Sequence, residues 1–216
     1  MQDLLELLRG NPYPGRGIVV GADAEGAPVV YYWIMGRSTN SRNRIFSLTE
    51  DGIQTEAHKP ELVEDPSLII YHPVRTMGDA LVVTNGDQTD TIVEQGDFRA
   101  GCMLREFEPD APNFTPRISA ILNADGSFEL SILKHQESGR CLREFFAYEA
   151  ADAGVGYFIS TYDGDGNPLP TFSGEPIEVA LPSADDTWAA LNADNKVSMY
   201  ANVAGQVKLY NKHLGD

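Results

Sequence analysis

The run Val30-Tyr31-Tyr32-Trp33-Ile34-Met35-Gly36-Arg37-Ser38-Thr39-Asn40-Ser41-Arg42-Asn43-Arg44 carries much of the chemical information in this chain. Its first half is apolar and aromatic, the pattern of a buried strand, and Gly36 ends it. Three arginines then fall within eight residues, Arg37, Arg42 and Arg44, interleaved with Ser38, Thr39, Asn40, Ser41 and Asn43. No lysine or acid interrupts them. Forked guanidinium donors beside small hydrogen-bonding side chains suit a phosphate or another planar oxyanion. The bland alternative is a solvated turn whose arginines pair with distant acids.

Two other segments could do chemistry. In Tyr71-His72-Pro73-Val74-Arg75 a strand ends on Tyr71, a proton donor or acceptor if nearby cations lower its pKa. The second, Arg105 to Ile118, sets three acids, two arginines, Asn113 and Thr115 around three prolines. Proline-fixed loops hold side chains in place with little entropy left to lose, which favours a site over a floppy linker.

The bulk properties narrow the partners. The chain has 216 residues and a formal net charge of −16. That charge argues against a nucleic-acid or anionic-membrane surface and for a small anion held in a locally positive pocket. Apolar content of 42% and charged content of 22% are ordinary for a globular protein. Cys102 and Cys141 form no disulfide framework and no metal spacing, so both are expected as reduced thiols. Leu4, Leu5, Leu7 and Leu8 are interrupted by an acid and too short for a signal core, and no apolar run is long enough to span a membrane. A cytoplasmic location is expected.

The elements that would position these groups are mostly hairpins. Residues 2–9 have helical periodicity. Strands are expected at Ile18–Gly21, Pro28–Met35, Arg44–Thr49, Ile53–Ala57, Ser67–His72 and Asp79–Thr84. Asp87 is placed to cap a helix to about Gln95, and Gly101–Glu108 is ambiguous. Arg117–Asn123 and Ser127–Leu133 form the clearest hairpin. Further strands are expected at Cys141–Glu149, Val155–Asp163, Ile177–Leu181, Val197–Val203 and Gln206–Tyr210, with a helix from Asp185 or Asp186 to about Asn192. This predicts roughly ten strands in antiparallel sheets with two or three helices, in a single α+β domain over residues 1–216.

Other constellations fail on spacing. Gly15, Gly17 and Gly21 precede a strand, where a dinucleotide loop would follow one. Asp163 to Asn167 starts like a calcium loop, but Pro168 occupies the glycine position. His58, His72, His135 and His213 lack ligand spacing, so no metal is expected.

Four segments together resemble the archaeal-type IMP cyclohydrolase family, in a form that looks like a bacterial branch. They are Gly15-Arg-Gly-Ile-Val-Val-Gly21, Gly36-Arg-Ser…Ser41-Arg-Asn-Arg44, Thr84-Asn-Gly-Asp87 and Glu108-Pro-Asp-Ala-Pro-Asn-Phe-Thr-Pro-Arg117. The likeness implies closure of 5-formamidoimidazole-4-carboxamide ribonucleotide to inosine monophosphate, the last step of purine synthesis. It implies a four-layer αββα fold like that of the N-terminal-nucleophile hydrolases, and no metal or organic cofactor. Met1-Gln2 offers no Cys, Ser or Thr behind the initiator, so autocatalytic hydrolase chemistry is not expected. By order along the chain, the family's catalytic arginine, tyrosine and glutamate fall near Arg42 (or Arg37), Tyr71, and Glu106 or Glu108. Arg37, Ser38, Asn40, Arg44, Arg75, Asn113 and Arg117 are the expected substrate-binding residues. Partners are a nucleotide substrate and a second copy in a homo-oligomer. Two rival readings are a non-catalytic binding module for purine nucleotides or phospho-ligands, and an amide hydrolase with an internal nucleophile such as Cys102.

Overall fold

A computed structural model describes residues 1–63 and 70–215. The chain opens with a short strand β1 (Gln2–Asp3) and helix α1 (Leu4–Gly10). Asp3 caps α1 by accepting from the amides of Leu5 and Glu6, which satisfies donors that a helix start leaves unpaired. Strands β2 (Arg16–Ala22) and β3 (Pro28–Met35) follow as a hairpin. Next come the short α2 (Thr39–Arg42), β4 (Arg44–Leu48), β5 (Gly52–Ala57), β6 (Val74–Met77) and β7 (Ala80–Thr84). Helices α3 (Gln88–Gln95) and α4 (Phe98–Met103) precede β8 (Arg117–Leu122), β9 (Phe128–His135), β10 (Cys141–Tyr148) and β11 (Val155–Ser160). The chain ends with β12 (Ile177–Ala180), α5 (Ala184–Ala190), β13 (Lys196–Val203) and β14 (Gln206–Asn211).

Among the described residues these strands make two seven-stranded sheets. One runs β1-β12-β11-β2-β3-β13-β14, the other β10-β9-β8-β7-β6-β5-β4. Every pairing is antiparallel except β1 with β12. The alternation of each strand divides its side chains between two cores. Ile18, Val20, Val30, Tyr32 and Ile34 of the first sheet pack with Phe46, Ile53, Val74, Val83, Ile118 and Leu130 of the second. On the other side of the first sheet, Val19, Tyr31 and Trp33 pack with Leu4 and Leu8 of α1 and Trp188 of α5. Val82 and Ile121 of the second sheet pack with Ile92 of α3 and Phe98 and Cys102 of α4.

Several expectations change. Fourteen strands are found among the described residues, more than the rough total of ten; β1 and β6 lie outside the ranges expected because both are too short to show a period. Pro73 and Arg75 hide β6, yet it pairs with both β5 and β7. Of the strand expected at Ser67–His72, residues 67–69 lie outside the described residues. The Tyr71 backbone is held by Thr55, its carbonyl accepting from the Thr55 amide at 2.9 Å, without joining a ladder. The ambiguous 101–108 segment divides into the end of α4 and a loop. Ser183, not Asp185 or Asp186, caps α5.

One glycine fixes how closely the first sheet packs. A Cβ on Gly17 would lie 2.0 Å from the Trp33 ring, which is fully buried. Gly17→Ala is expected to destabilise the protein by about 1–3 kcal/mol, the usual cost of overpacking a core. Gly10→Ala, which meets nothing, should stay within about 0.5 kcal/mol of wild type. Urea unfolding of both variants checks this.

Candidate active site

The core between the sheets ends in polar groups. Arg16 continues the inward series of Ile18 and Val20, and Arg44 continues that of Phe46. Tyr32, wholly buried, lies 3.1 Å oxygen to oxygen from Tyr71. Beside this cluster opens a cavity of about 490 Å³, a volume in the range of small-molecule sites. Its walls are Arg16, Tyr71, the Asn85-Gly86-Asp87 turn after β7, Glu108 and Asp110 of the proline loop, and Arg117 at the start of β8.

Arg117 ties the walls together. Its side chain is 8% exposed, with Nη1 2.8 Å from Asp87 Oδ1, 2.5 Å from Gln88 Oε1 and 3.0 Å from Glu108 Oε1. Nη2 reaches the other Glu108 oxygen at 3.2 Å, so the pair is fork to fork. Arg105 also pairs with Asp87. Asp87 therefore stands at the N-cap position of α3 without capping it, contrary to the expected role. Asn85 organises the turn, accepting from the Ile118 amide and the Gln88 amide group and donating to Pro116 O, each at 2.9 Å.

The proline loop is stapled by its own groups. The Glu108 amide donates to Thr115 O at 2.8 Å, and Asp110 accepts from both the amide and the hydroxyl of Thr115. Because the Thr115 hydroxyl gives its proton to Asp110, the Tyr162 hydroxyl, 2.5 Å away, must donate to Thr115. Phe114 stacks on His135 with centroids 4.1 Å apart and closes the back of the loop.

Burial dominates the electrostatics. It pushes the Glu108 carboxyl above the usual range, aided by Asp87 and Asp110 and opposed by Arg117 and Arg16. Asp87 is also partly desolvated, but its bonds to Arg105 and the charges of Arg117 and Arg105 hold it below the ordinary value. Burial works to lower the Arg16 pKa, yet the phenols of Tyr71, Tyr13, Tyr162 and Tyr32 leave it raised. Burial and then the nearby Arg16 lower the Arg44 pKa, whereas burial raises that of Tyr32 well above its usual value. Among the described residues the Nε groups of Arg16 and Arg117 are buried without a hydrogen-bond acceptor. Two cations and a carboxyl biased towards its neutral form can bind an anion, stabilise a developing oxyanion and move a proton.

The expected site residues divide between several places. Tyr71, Glu108 and Arg117 share the cavity. Arg37 and Arg42 line a different cavity at the edge of the second sheet. Arg44 is buried, donating to Ser41 O at 2.9 Å and Met35 O at 3.3 Å. Ser38 caps α2 and Asn40 O accepts at its end. Arg75 pairs with Asp51 and Asp90. Glu106 is exposed, 3.8 Å from Arg143, and Asn113 accepts from the Leu169 amide at 3.0 Å. Cys102 is buried with its thiol pushed up to about 11, chiefly by desolvation, which makes it a poor internal nucleophile. Arg16, Asn85 and Tyr32 had no expected role, and Asp110 and Thr115 were expected only as members of the proline segment. Arg16 had a signal, a lone cation between two glycines at the start of an apolar strand.

No described helix is long and apolar enough to cross a membrane, and no described group of three or more His, Cys, Asp or Glu side chains could hold a metal ion. Gly86 is the test of how tightly the cavity is built. A Cβ there would lie 2.7 Å from Arg117 Nη1 and 3.1 Å from Glu108 Oε1. Gly86→Ala should lower kcat/KM about tenfold or more by shifting both groups. Urea denaturation should show a far smaller relative effect, because side-chain ends can yield.

Comparison with known proteins gives the same direction. An IMP cyclohydrolase from Methanocaldococcus jannaschii is 29% identical over 177 residues, 77% of this chain and 82% of that protein. An IMP cyclohydrolase from Methanococcus maripaludis strain C7 is 27% identical over 163 residues, 70% of this chain and 75% of its own. That of strain C6 is 32% identical over 128 residues, 54% of this chain and 61% of that protein, so the chain spans less than two thirds of this relative. The IMP cyclohydrolase-like protein family matches residues 13–208, and the chain belongs to that family.

Proposed function

We propose that this protein is an IMP cyclohydrolase of purine biosynthesis. On this reading it closes 5-formamidoimidazole-4-carboxamide ribonucleotide to inosine monophosphate in the cytoplasm. The observation that carries the site assignment is the convergence of Tyr71, Glu108, Arg16 and Arg117 on one cavity. In the same reading the two sheets and their flanking helices form one αββα domain of the N-terminal-nucleophile-hydrolase kind, able to assemble as a homo-oligomer.

The reaction is intramolecular. The carboxamide nitrogen attacks the formyl carbon, a C–N bond forms, and the formyl oxygen leaves as water. One hydrogen of that water comes from the carboxamide nitrogen and the other from the formamide nitrogen. Both partners sit on one imidazole ring, so the protein chiefly fixes their rotamers. The harder task is charge on the formyl oxygen in the tetrahedral intermediate, since an amide is a weak nucleophile and a formamide a weak electrophile. Arg16 supplies the positive group there, the role that the family resemblance places near Arg42 or Arg37. Tyr71, hydrogen-bonded to Tyr32, delivers a proton to the departing oxygen. Glu108 takes a proton from the carboxamide nitrogen while the Arg117 fork fixes the orientation of its carboxylate.

A non-catalytic binding module would keep affinity without turnover. Ultraviolet absorbance separates the two readings, because ring closure changes the chromophore. Turnover is expected, and binding without any absorbance change would overturn the enzyme reading. Tyr71→Phe should reduce turnover by roughly 10²-fold or more, and wild-type rates would remove Tyr71 from the mechanism. Because Glu108 must be ionised to accept a proton, the rate should rise with pH through a carboxylate value above the ordinary glutamate range. Glu108→Gln should lose that acid limb along with most of the rate.

A further inference from the structure

A second cavity, of about 310 Å³, opens beside α2, and it shares no lining residue with the reaction cavity. Its polar walls include Arg37, Arg42, Asn43, His58, Lys59 and His213. The scaffold is held from inside. Asn43 is buried and clamps the corner after β5 both ways, accepting from the Lys59 amide and donating to Lys59 O, each at 2.8 Å. His213 sits 2.6 Å from Arg42 O through Nε2, and its ring stacks on His58 with centroids 4.5 Å apart and planes 10° apart. Three separate chain segments thus converge here: α2, the turn after β5, and the turn after β14.

The charge of this cavity runs against the rest of the molecule. The chain carries −16, yet among the described residues no carboxylate forms an ion pair with Arg42, Lys59, His58 or His213. The nearest exception is Arg37, which is neutralised by Asp165 at 2.5 Å. The Arg42 head bonds only to neutral oxygens, Gly36 O at 2.9 Å and Asn195 Oδ1 at 3.1 Å, so its full charge is kept. A guanidinium, an ammonium and two imidazoles facing one space from three segments match an oxyanion with several acceptor oxygens. The acids Asp87, Glu108 and Asp110, which would repel such an ion, all lie in the other cavity.

We propose that this second cavity is a phosphate site, built to take a phosphate dianion, free or as a monoester. Arg42 and Lys59 supply the charge, and His58, stacked on His213, supplies a further N–H donor, while His213 spends its Nε2–H on the Arg42 carbonyl. The phosphate could belong to the nucleotide that occupies the reaction cavity or to a separate phosphorylated ligand, since both cavities open at the same end of the sheets. Arg16 pairs across from Ile34 near the end of β3, and Arg44 pairs with Ala57 at the end of β5. The binding claim does not depend on the cyclohydrolase reading. A protein that binds phosphate here but closes no ring would overturn that reading and leave this one standing.

Inorganic phosphate is the probe. Titrated into the full chain at constant ionic strength, it should shift the proton NMR signals of the His58 and His213 rings, where chloride does not. Arg42→Gln with Lys59→Gln should weaken that binding at least tenfold, with an unchanged circular dichroism spectrum showing that the variant folds. Kinetics then identify the source: a raised KM in the double variant, with kcat kept, assigns the phosphate to the substrate, and an unchanged KM assigns it to a separate ligand. Both results uphold a phosphate site. Imidazole signals unmoved up to about 20 mM phosphate, or moved equally in the double variant, overturn it.

Discussion

A hydrophobic core that ends in two arginines sets the terms for everything else in this protein. Arg16 and Arg44 are the first residues of β2 and β4, at the end of the gap between the sheets where aliphatic side chains run out. A desolvated guanidinium is costly unless acceptors surround it. Arg44 finds backbone carbonyls, whereas Arg16 finds phenols and keeps a buried Nε without an acceptor. That incomplete satisfaction is what a binding site offers before its ligand arrives. In the proposed reading an arriving oxyanion completes the arrangement, the cost of holding the cation in place having been met during folding.

The same logic explains the loops. Asp87 leaves the start of α3 uncapped and spends its carboxylate on Arg105 and Arg117. Local helix stability is given up to hold the Arg117 fork, which in turn aligns Glu108. Gly86 is small because the Arg117 head lies directly over it. The proline loop adds rigidity of its own through the Thr115, Asp110 and Tyr162 chain. Two strand starts, one strand end and one stapled loop therefore meet with little freedom left.

Much of this architecture could be read in the residues, and the failures have physical causes. A continuous apolar and aromatic run such as Pro28–Met35, and a hairpin with turn residues such as Arg117–Leu122 with Phe128–His135, announce themselves through composition and turn chemistry. The proline loop stood out by composition, and it does contribute Glu108 and Asp110 to the cavity. What composition could not supply was direction. Alternation shows that Arg16 and Ile18 share a face without saying that the face lies between two sheets. In the same way, Glu106 and Glu108 look equivalent along the chain, but the loop turns one outward and the other in. The arginine run was conspicuous, yet its members part company: Arg44 goes into the core end, and Arg37 and Arg42 go to the neighbouring cavity. Spacing within a turn carries no information about which neighbouring strand ends will face it.

The account stands on Arg16 as the cation beside the reacting carbonyl, and its removal is the most direct test. The initial rate of inosine monophosphate formation by Arg16→Gln, at saturating substrate, measures it. The account predicts a kcat lower by about 10²-fold or more, the usual loss on removing an oxyanion donor. A kcat equal to that of the unaltered protein would contradict it.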